Sequence, residues 1–425
     1  MSINKPPSTA QVRTALGLTA LLLLGIVLSN TVLNDPLGFD FSIIYAAGTI
    51  LRKGDASKLY DLGVQAQVER SFGRRKLLIY DHPPFEAILF EPITNLSYTT
   101  AYILWGLINV LLWLLFQAVF RPFAPVPKND LHYFLLCSLF FPLWSGLMQG
   151  QMSMLLLLVF SLTFVHLERR QDYRAGVFLG LGLFKFPVVI PFALICFLRS
   201  KWKMMMGFAT AAVLLTALSL LVVGPVGAIS YVRMLAAATA RSGAPAYTTL
   251  PWDMPSLTGF LMTFLVSRIS PRSIEATAAI LGGILLLATA RVWRRHDKLA
   301  DGDSSGLMFA AALTLSLVTA PYLNLHDLSL MLLAVFLVLG SSQWASGSRW
   351  TVVLKTCIWI LYIPPVYVLL LRHSKMSLLF PVLLCFALAA LLLAVNSLPR
   401  TSSPEAGGAA GAVIASGSAR NCDTC

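Results

Sequence analysis

Charge is scarce in this chain, and acidic charge scarcer still. Only 12% of its 425 residues are charged, with 19 acids against 32 lysines and arginines, while 57% are hydrophobic. At a mean hydropathy of +0.75, that composition excludes a soluble globular protein. Strand-like alternation is weak, so the apolar runs read as helices, and lipid accepts only structures whose backbone groups are satisfied internally. Nucleotide signatures are absent, with neither a Walker glycine loop nor a dinucleotide fingerprint. His-Glu-x-x-His and comparable ligand spacings are also missing, which leaves zinc hydrolysis unsupported; no metal or other cofactor is expected. Cysteine is sparse. Cys137, Cys196, Cys357 and Cys385 fall inside apolar runs as small hydrophobes, and the terminal pair Cys422 and Cys425 has no second pair or nearby histidine to make a metal or redox site.

What is present is an all-α polytopic membrane protein. Apolar runs of about 17 to 25 residues, the length that crosses a bilayer as a helix, recur throughout. The formal charge of +13 is not one patch for nucleic acid, because the basic residues sit in short clusters between apolar runs, where they set topology. An uncleaved first span is expected over Leu16–Leu33, followed by a large outer loop over residues 34–97. Spans over Tyr98–Phe120, Leu131–Trp144 and Met152–Leu167 follow, with an outer turn at Gln149-Gly150-Gln151. Arg121, Lys128 and the run Glu168-Arg169-Arg170 mark the inner side. Over Ala175–Leu198 a single span would place Arg199, Lys201 and Lys203 outside, against the positive-inside rule. Two short helices turning at Lys185-Phe186-Pro187 keep them inside, and a proline at that turn suits the break. Further spans are expected over Met204–Val223, Ile274–Val292, Leu307–Ala320, Leu328–Leu339, Val352–Leu371 and Met376–Leu393, with a second outer loop over 224–272 in which Leu257–Val266 lies in the interface. The total is about twelve membrane segments in one unit over 1–398, followed by a disordered Gly/Ala/Ser-rich inner tail over 399–425.

This topology, drawn from apolar length and basic clusters, gathers the unusual polar residues on the outer face. They are Asp40, His82, Gln149, Gln151, Lys185, Asp253, His326 with Asp327, and the turn Arg372-His373-Ser374-Lys375. Convergence of this kind is what an active site needs. Each residue also has a simpler reading. Asp40 suits the N-cap of a helix starting at Phe41; His82 precedes two prolines that start a helix; Lys185 suits a snorkelling position; Arg372 and Lys375 suit lipid phosphates. Acid, base and cations at a membrane surface, without a nucleotide motif, point to a lipid phosphate donor. In glycosyl transfer from a polyprenyl phosphate sugar, a carboxylate such as Asp40 takes the acceptor's proton, and Lys185, Arg372, His326 or His373 serves the departing phosphate. With no nucleophile required, the step is a direct inverting displacement.

The stretch Asp40-Phe41 with Tyr45-Ala46-Ala47-Gly48, then Leu59-Tyr60-Asp61 and Tyr80-Asp81-His82-Pro83-Pro84-Phe85, resembles glycosyltransferase family 87. The resemblance continues through Gly150-Gln151, Lys185-Phe186-Pro187 and the turn Pro321 to Asp327, as far as about Asn396. It implies a GT-C-type integral membrane fold and a hexosyltransferase in a bacterial cytoplasmic membrane, with its site on the periplasmic or extracellular side. It further implies a polyprenyl phosphate mannose donor, a lipid or glycan acceptor and α-1,2 linkages. Asp40 becomes the catalytic base, sharing its site with His326; Tyr45, His82, Gln151, Lys185, Asp327, Arg372, His373 and Lys375 become donor and substrate contacts. The sequence departs from the family pattern at Met152-Ser153, where an asparagine is expected soon after the glutamine. Sugar and acceptor are left open. The competing classes are a transporter or flippase for a lipid-linked sugar and a non-catalytic envelope partner. A transporter should carry internal repeats and midplane ionisable groups on broken helices, whereas the acids here lie in loops and turns.

Overall fold

A computed structural model describes residues 40–73, 78–124, 130–240, 251–299, 305–345, 347–363 and 377–396. No strand occurs among them. The expected first span, the tail with Cys422 and Cys425, and the turn carrying Arg372, His373 and Lys375 lie outside the described residues.

The described part of the first outer loop is helical. Helices α1 (Phe41–Arg52), α2 (Leu62–Ser71) and α3 (Pro84–Phe90) are too short to cross a bilayer. Asp61 caps α2, accepting from the Gly63 and Val64 amides, and α3 starts on Pro84, whose missing N–H costs nothing at a helix's first position. Gly48 lets α1 rest on the turn Glu91–Asn95, since a Cβ there would meet the Glu91 nitrogen at 2.9 Å.

Helix α4 (Tyr98–Phe120) begins at Ser97, whose hydroxyl accepts from the Thr100 amide. The single span expected over Leu131–Trp144 is instead two helices, α5 (Asp130–Ser138) and α6 (Phe141–Gln149). Pro142 is the cause: it has no N–H to give the Ser138 carbonyl four residues back, and Phe140 is extended. The Trp144 indole donates to the Ser138 carbonyl at 2.6 Å, satisfying a group the break leaves open.

Helix α7 (Ser153–Glu168) leads to α8 (Asp172–Leu181), a 3-10 turn (Gly182–Lys185), α9 (Phe186–Leu198) and the long α10 (Trp202–Ala240). By length and composition, Asp172–Leu198 is one of five helical stretches able to cross a membrane, yet the chain folds back within it. A Cβ on Gly176 would lie 1.8 Å from the Met204 carbonyl, and one on Gly207 would lie 2.0 Å from that of Tyr173. Were α8 and α9 collinear, Leu198 would stand about 33 Å from Gly176; the six residues on to Met204 reach back at most about 22 Å. The reversal falls at the 3-10 turn, so Lys185 sits at the tip of a hairpin. Gly176, Gly180, Gly207 and Ala211 let α8 and α10 approach backbone to backbone, the small-residue packing that membrane helices use in place of a hydrophobic drive.

At Gly224 (φ 65°) α10 breaks and restarts on Pro225. The expected second outer loop therefore begins as helix and, after residues outside the description, resumes in α11 (Leu257–Leu265), capped by Ser256. Helices α12 (Pro271–Leu299), α13 (Ser305–Val318), α14 (Met331–Leu339), α15 (Arg349–Tyr362) and α16 (Leu379–Asn396) complete the described chain, with a 3-10 turn at Leu325–Leu330 leading into α14.

The centre is built from short helices that are apolar all round. Every residue of Leu307–Val318 and of Met331–Val338 is buried, and α7 is nearly so. Such helices need neighbours on all sides. The long helices surround them and turn apolar residues outward, among them Leu111 and Leu221 (83% exposed), as a lipid-facing surface requires.

Two ends emerge. The Phe123 ring packs edge-on against Phe164, the Ser305 hydroxyl donates to Glu168, and Arg199 pairs with Asp297. Arg121, Glu168 to Arg170, Arg199 and Asp297 thus share one end. Asp40, Gln149 to Gln151, Lys185 and His326 meet at the other.

Candidate active site

Asp40 stands at the N-cap position of α1 without acting as a cap, since its side chain makes no bond to the first turn. Instead the Gln151 amide, 111 residues on, donates to its Oδ2 at 2.6 Å. The carboxylate keeps 22% of its surface exposed, and Gln151 engages one of its two oxygens.

The turn Gln149-Gly150-Gln151 joins the two sides of this centre. Gly150 takes the left-handed conformation (φ 70°), ending α6. The turn is clamped from α4: the Tyr102 hydroxyl donates to the Met148 carbonyl (2.7 Å) and the Trp105 indole to the Gly150 carbonyl (2.8 Å). Phe41 closes it from α1, and a Cβ on Gly150 would lie 2.6 Å from the Phe41 Cβ. Gln151 thereby reaches Asp40, while Gln149 reaches His326.

His326 Nδ1 donates to the Gln149 Oε1 at 2.8 Å. That assigns the neutral tautomer with its proton on Nδ1, and Nε2 accepts from the Lys185 ammonium at 3.4 Å. Nδ1 also lies 4.0 Å from the Asp40 Oδ2. Lys185 approaches Asp327 Oδ1 at 2.9 Å, and Asp327 Oδ2 accepts from the Asn324 backbone amide at 2.9 Å. One carboxylate thus starts the turn before α14 and holds the lysine at the hairpin tip. Gly146 allows the approach, since a Cβ there would stand 2.9 Å from the Ser153 hydroxyl and 3.6 Å from the His326 Cβ.

His82 lies within electrostatic range of Lys185 and of His326. Its Nδ1 faces both oxygens of Glu86 at 2.8 Å. Burial opposes charging of this imidazole, but the Glu86 carboxylate and its hydrogen bond outweigh that, Asp81 adds to them and Lys185 subtracts; the net effect raises His82 above the ordinary imidazole value. The loop itself is pinned, because Tyr60 donates to the His82 carbonyl, Tyr80 to that of Pro83, and the Ser219 hydroxyl of α10 accepts from the Phe85 amide.

Of the residues expected at a site, the structure brings together Asp40, His82, Gln151, Lys185, His326 and Asp327. Tyr45 is placed otherwise: its hydroxyl donates to the Leu96 carbonyl at 2.8 Å, and its ring packs among Phe41, Phe72 and Tyr98. Two partners escaped the list of candidate site residues. Gln149 was legible as a turn residue beside Gln151, and Glu86 as the carboxylate four residues after His82, one helical turn away. Among the described residues no cluster of three or more His, Cys, Asp or Glu forms a metal site.

Fold and site together define an integral membrane protein with an acid–base centre at one end of its helical bundle. The family model of glycosyltransferase family 87 matches residues 80–321, more than half of the chain, and the chain belongs to that family: it is a membrane glycosyltransferase. The matched stretch contains His82, Glu86, Gln149, Gln151 and Lys185, and the fold ties Asp40 and His326, which flank it, to those residues. Comparison with curated proteins and with solved structures gave no match.

Proposed function

We propose that this glycosyltransferase moves a hexose, mannose in the first instance, from a polyprenyl phosphate to a lipid or glycan acceptor by direct displacement. The observation that carries the reading is Asp40: a half-open carboxylate held on one oxygen by Gln151, capping nothing, beside His326 and Lys185. In the step proposed, the acceptor hydroxyl gives its proton to the free Asp40 oxygen as its own oxygen bonds to the sugar's anomeric carbon. The anomeric carbon–oxygen bond to the phosphate breaks at the same time, and the lipid phosphate leaves with that electron pair, so configuration inverts. A carboxylate positioned this way serves as the general base that takes the hydroxyl proton as the new bond forms. Lys185 supplies positive charge toward the leaving phosphate; Arg372, His373 and Lys375 are proposed to add to it.

The basic clusters support a site on the outer face of a bacterial cytoplasmic membrane. Arg169, Arg170, Arg199 and the run around Arg294 lie at the end away from Asp40, and basic flanks are retained inside. The test is transfer of radiolabelled sugar from polyprenyl phosphate mannose by the protein in membranes, with Asp40→Asn beside it. Incorporation that disappears in the variant supports the reading; no incorporation from mannose, glucose or arabinose donors alike overturns it in favour of a lipid-sugar transporter or an assembly partner.

A further inference from the structure

Glu86 is a carboxylate with none of its side chain exposed. A buried charge of this kind is costly unless it is paired and hydrogen-bonded, and its partner is the imidazole of His82. The ring is fixed on every side but one. Nδ1 faces Glu86, the face stacks on Tyr80 with centroids 5.6 Å apart, and the residue's own carbonyl accepts from Tyr60. Only Nε2 has no partner at hydrogen-bond distance in this arrangement, its nearest acid being Asp81 at 3.7 Å, a side chain partly open to solvent. The charges of the centre ask for such a group. Lys185 is already matched by Asp327 at 2.9 Å, and Asp40 and Glu86 add two further carboxylates within its range, so an incoming phosphate meets no surplus of cation from these residues alone.

We propose that Glu86 is a positioning residue for His82, holding the ring at Nδ1 as the imidazolium so that Nε2–H is presented to the phosphate of the lipid-linked donor. The proposal rests on the glycosyl transfer reading above. The groups around the imidazole are Glu86 and Asp81 from its own segment, Lys185 from the hairpin tip, His326 from the turn before α14, Tyr60 and Tyr80; Tyr231 of α10 packs on Tyr60 and lies within range of Asp81 and Glu86. Glu86→Gln keeps the shape and an acceptor for Nδ1–H but removes the charge that favours the imidazolium.

The experiment measures binding of polyprenyl monophosphate to the full chain in nanodiscs between pH 5.5 and 8.5, with inorganic phosphate as competitor, alongside sugar transfer by the same samples. Any titration of the lipid phosphate itself is common to all variants, so differences report the protein. In the wild type, affinity persists above pH 7 and falls as pH rises through the raised His82 value. In Glu86→Gln that fall moves to lower pH, with about a tenfold loss at pH 7.5, the equivalent of one pKa unit; Glu86→Asp restores part of it, and His82→Gln leaves only the pH dependence of the lipid phosphate. Wild-type and Glu86→Gln curves that superimpose, with both proteins folded, overturn the proposal. If Glu86→Gln does not fold, a wild-type curve unchanged in His82→Gln overturns it as well. A wild type that transfers no sugar yet shows the shifted binding in Glu86→Gln overturns the transfer reading and keeps the phosphate site. Competition by inorganic phosphate at concentrations comparable to the lipid's assigns the site to free phosphate and overturns its lipid-donor role.

Discussion

Two ion pairs bracket the hairpin of α8 and α9, and they are built differently: Asp297 keeps 31% of its side chain exposed, Asp327 only 3%. At one end Arg199 grips Asp297 with two bonds of 3.0 and 2.8 Å while its guanidinium lies over the Trp293 ring at 3.4 Å. It is a closed clamp between the end of α9 and the end of α12. At the other end Lys185 meets Asp327 by a single contact, shares its ammonium with His326, and sits beside the half-open Asp40. Arginine's planar fork suits a pair whose geometry is fixed, whereas a lysine's rotatable ammonium can turn from one acceptor to another. The first pair holds helices together; the second leaves one ammonium shared between two protein acceptors beside an open carboxylate.

The comparison breaks if the pairs behave alike. The largest effect expected is at Asp40: Asn should lower transfer by about 10³-fold, within the range general-base removal produces, while the unfolding temperature stays near that of the wild type. Next is Gly150→Ala, where a non-glycine residue in the left-handed region and a 2.6 Å approach to Phe41 should move Gln149 and Gln151 together; an activity loss of about 10²-fold is expected from displacing positioned groups by roughly 1 Å, with a destabilisation of about 1–3 kcal/mol. Arg199→Ala should then destabilise the protein by about 1–3 kcal/mol, since it removes charge-assisted bonds to Asp297 and the contact with Trp293, yet the folded fraction should keep its kcat. Lys185→Ala should invert that pattern, weakening donor binding and turnover beyond what its stability loss explains. A matched pair of melting curves and transfer assays decides, and an Arg199→Ala protein that is stable but inactive would falsify the division of roles.

The smallest effect concerns pH. His82 is raised in the folded protein, so its pair with Glu86 contributes stability that is fully present below the unfolded imidazole value of about 6.5 and is lost as pH rises through the folded value. Melting temperature should decline by a few degrees from pH 6 toward pH 8.5, and His82→Gln should flatten that decline.

Apolar run lengths and basic clusters were enough to read an all-helical membrane chain from the residues, and they even placed the reversal near Lys185. Helix α4 runs over Tyr98–Phe120 as expected, because Ser97 and the following aromatic-rich stretch specify it locally. The break at Pro142 was harder to see: a proline in an apolar run is compatible with a kinked span until the Ser138 carbonyl is shown to have Trp144 as its partner. At the site, Asp40, His82, Gln151, Lys185, His326 and Asp327 were legible because an ionisable or amide side chain beside a membrane run needs a reason. Their pairing was not. Asp40 at a helix start reads equally as a cap or a base, and only the 111-residue reach to Gln151 separates the two.

By itself, then, the sequence determined the solvent in which this protein folds and its helical class, because hydropathy acts locally on each segment. The tertiary structure alone decided which distant polar groups touch: that Gln149 turns His326, that Gln151 reaches Asp40, that Lys185 is matched by Asp327, and that Tyr45 bonds Leu96. The physical reason is that hydrogen bonds act over about 3 Å, and only packing across a buried core brings groups a hundred residues apart to that distance.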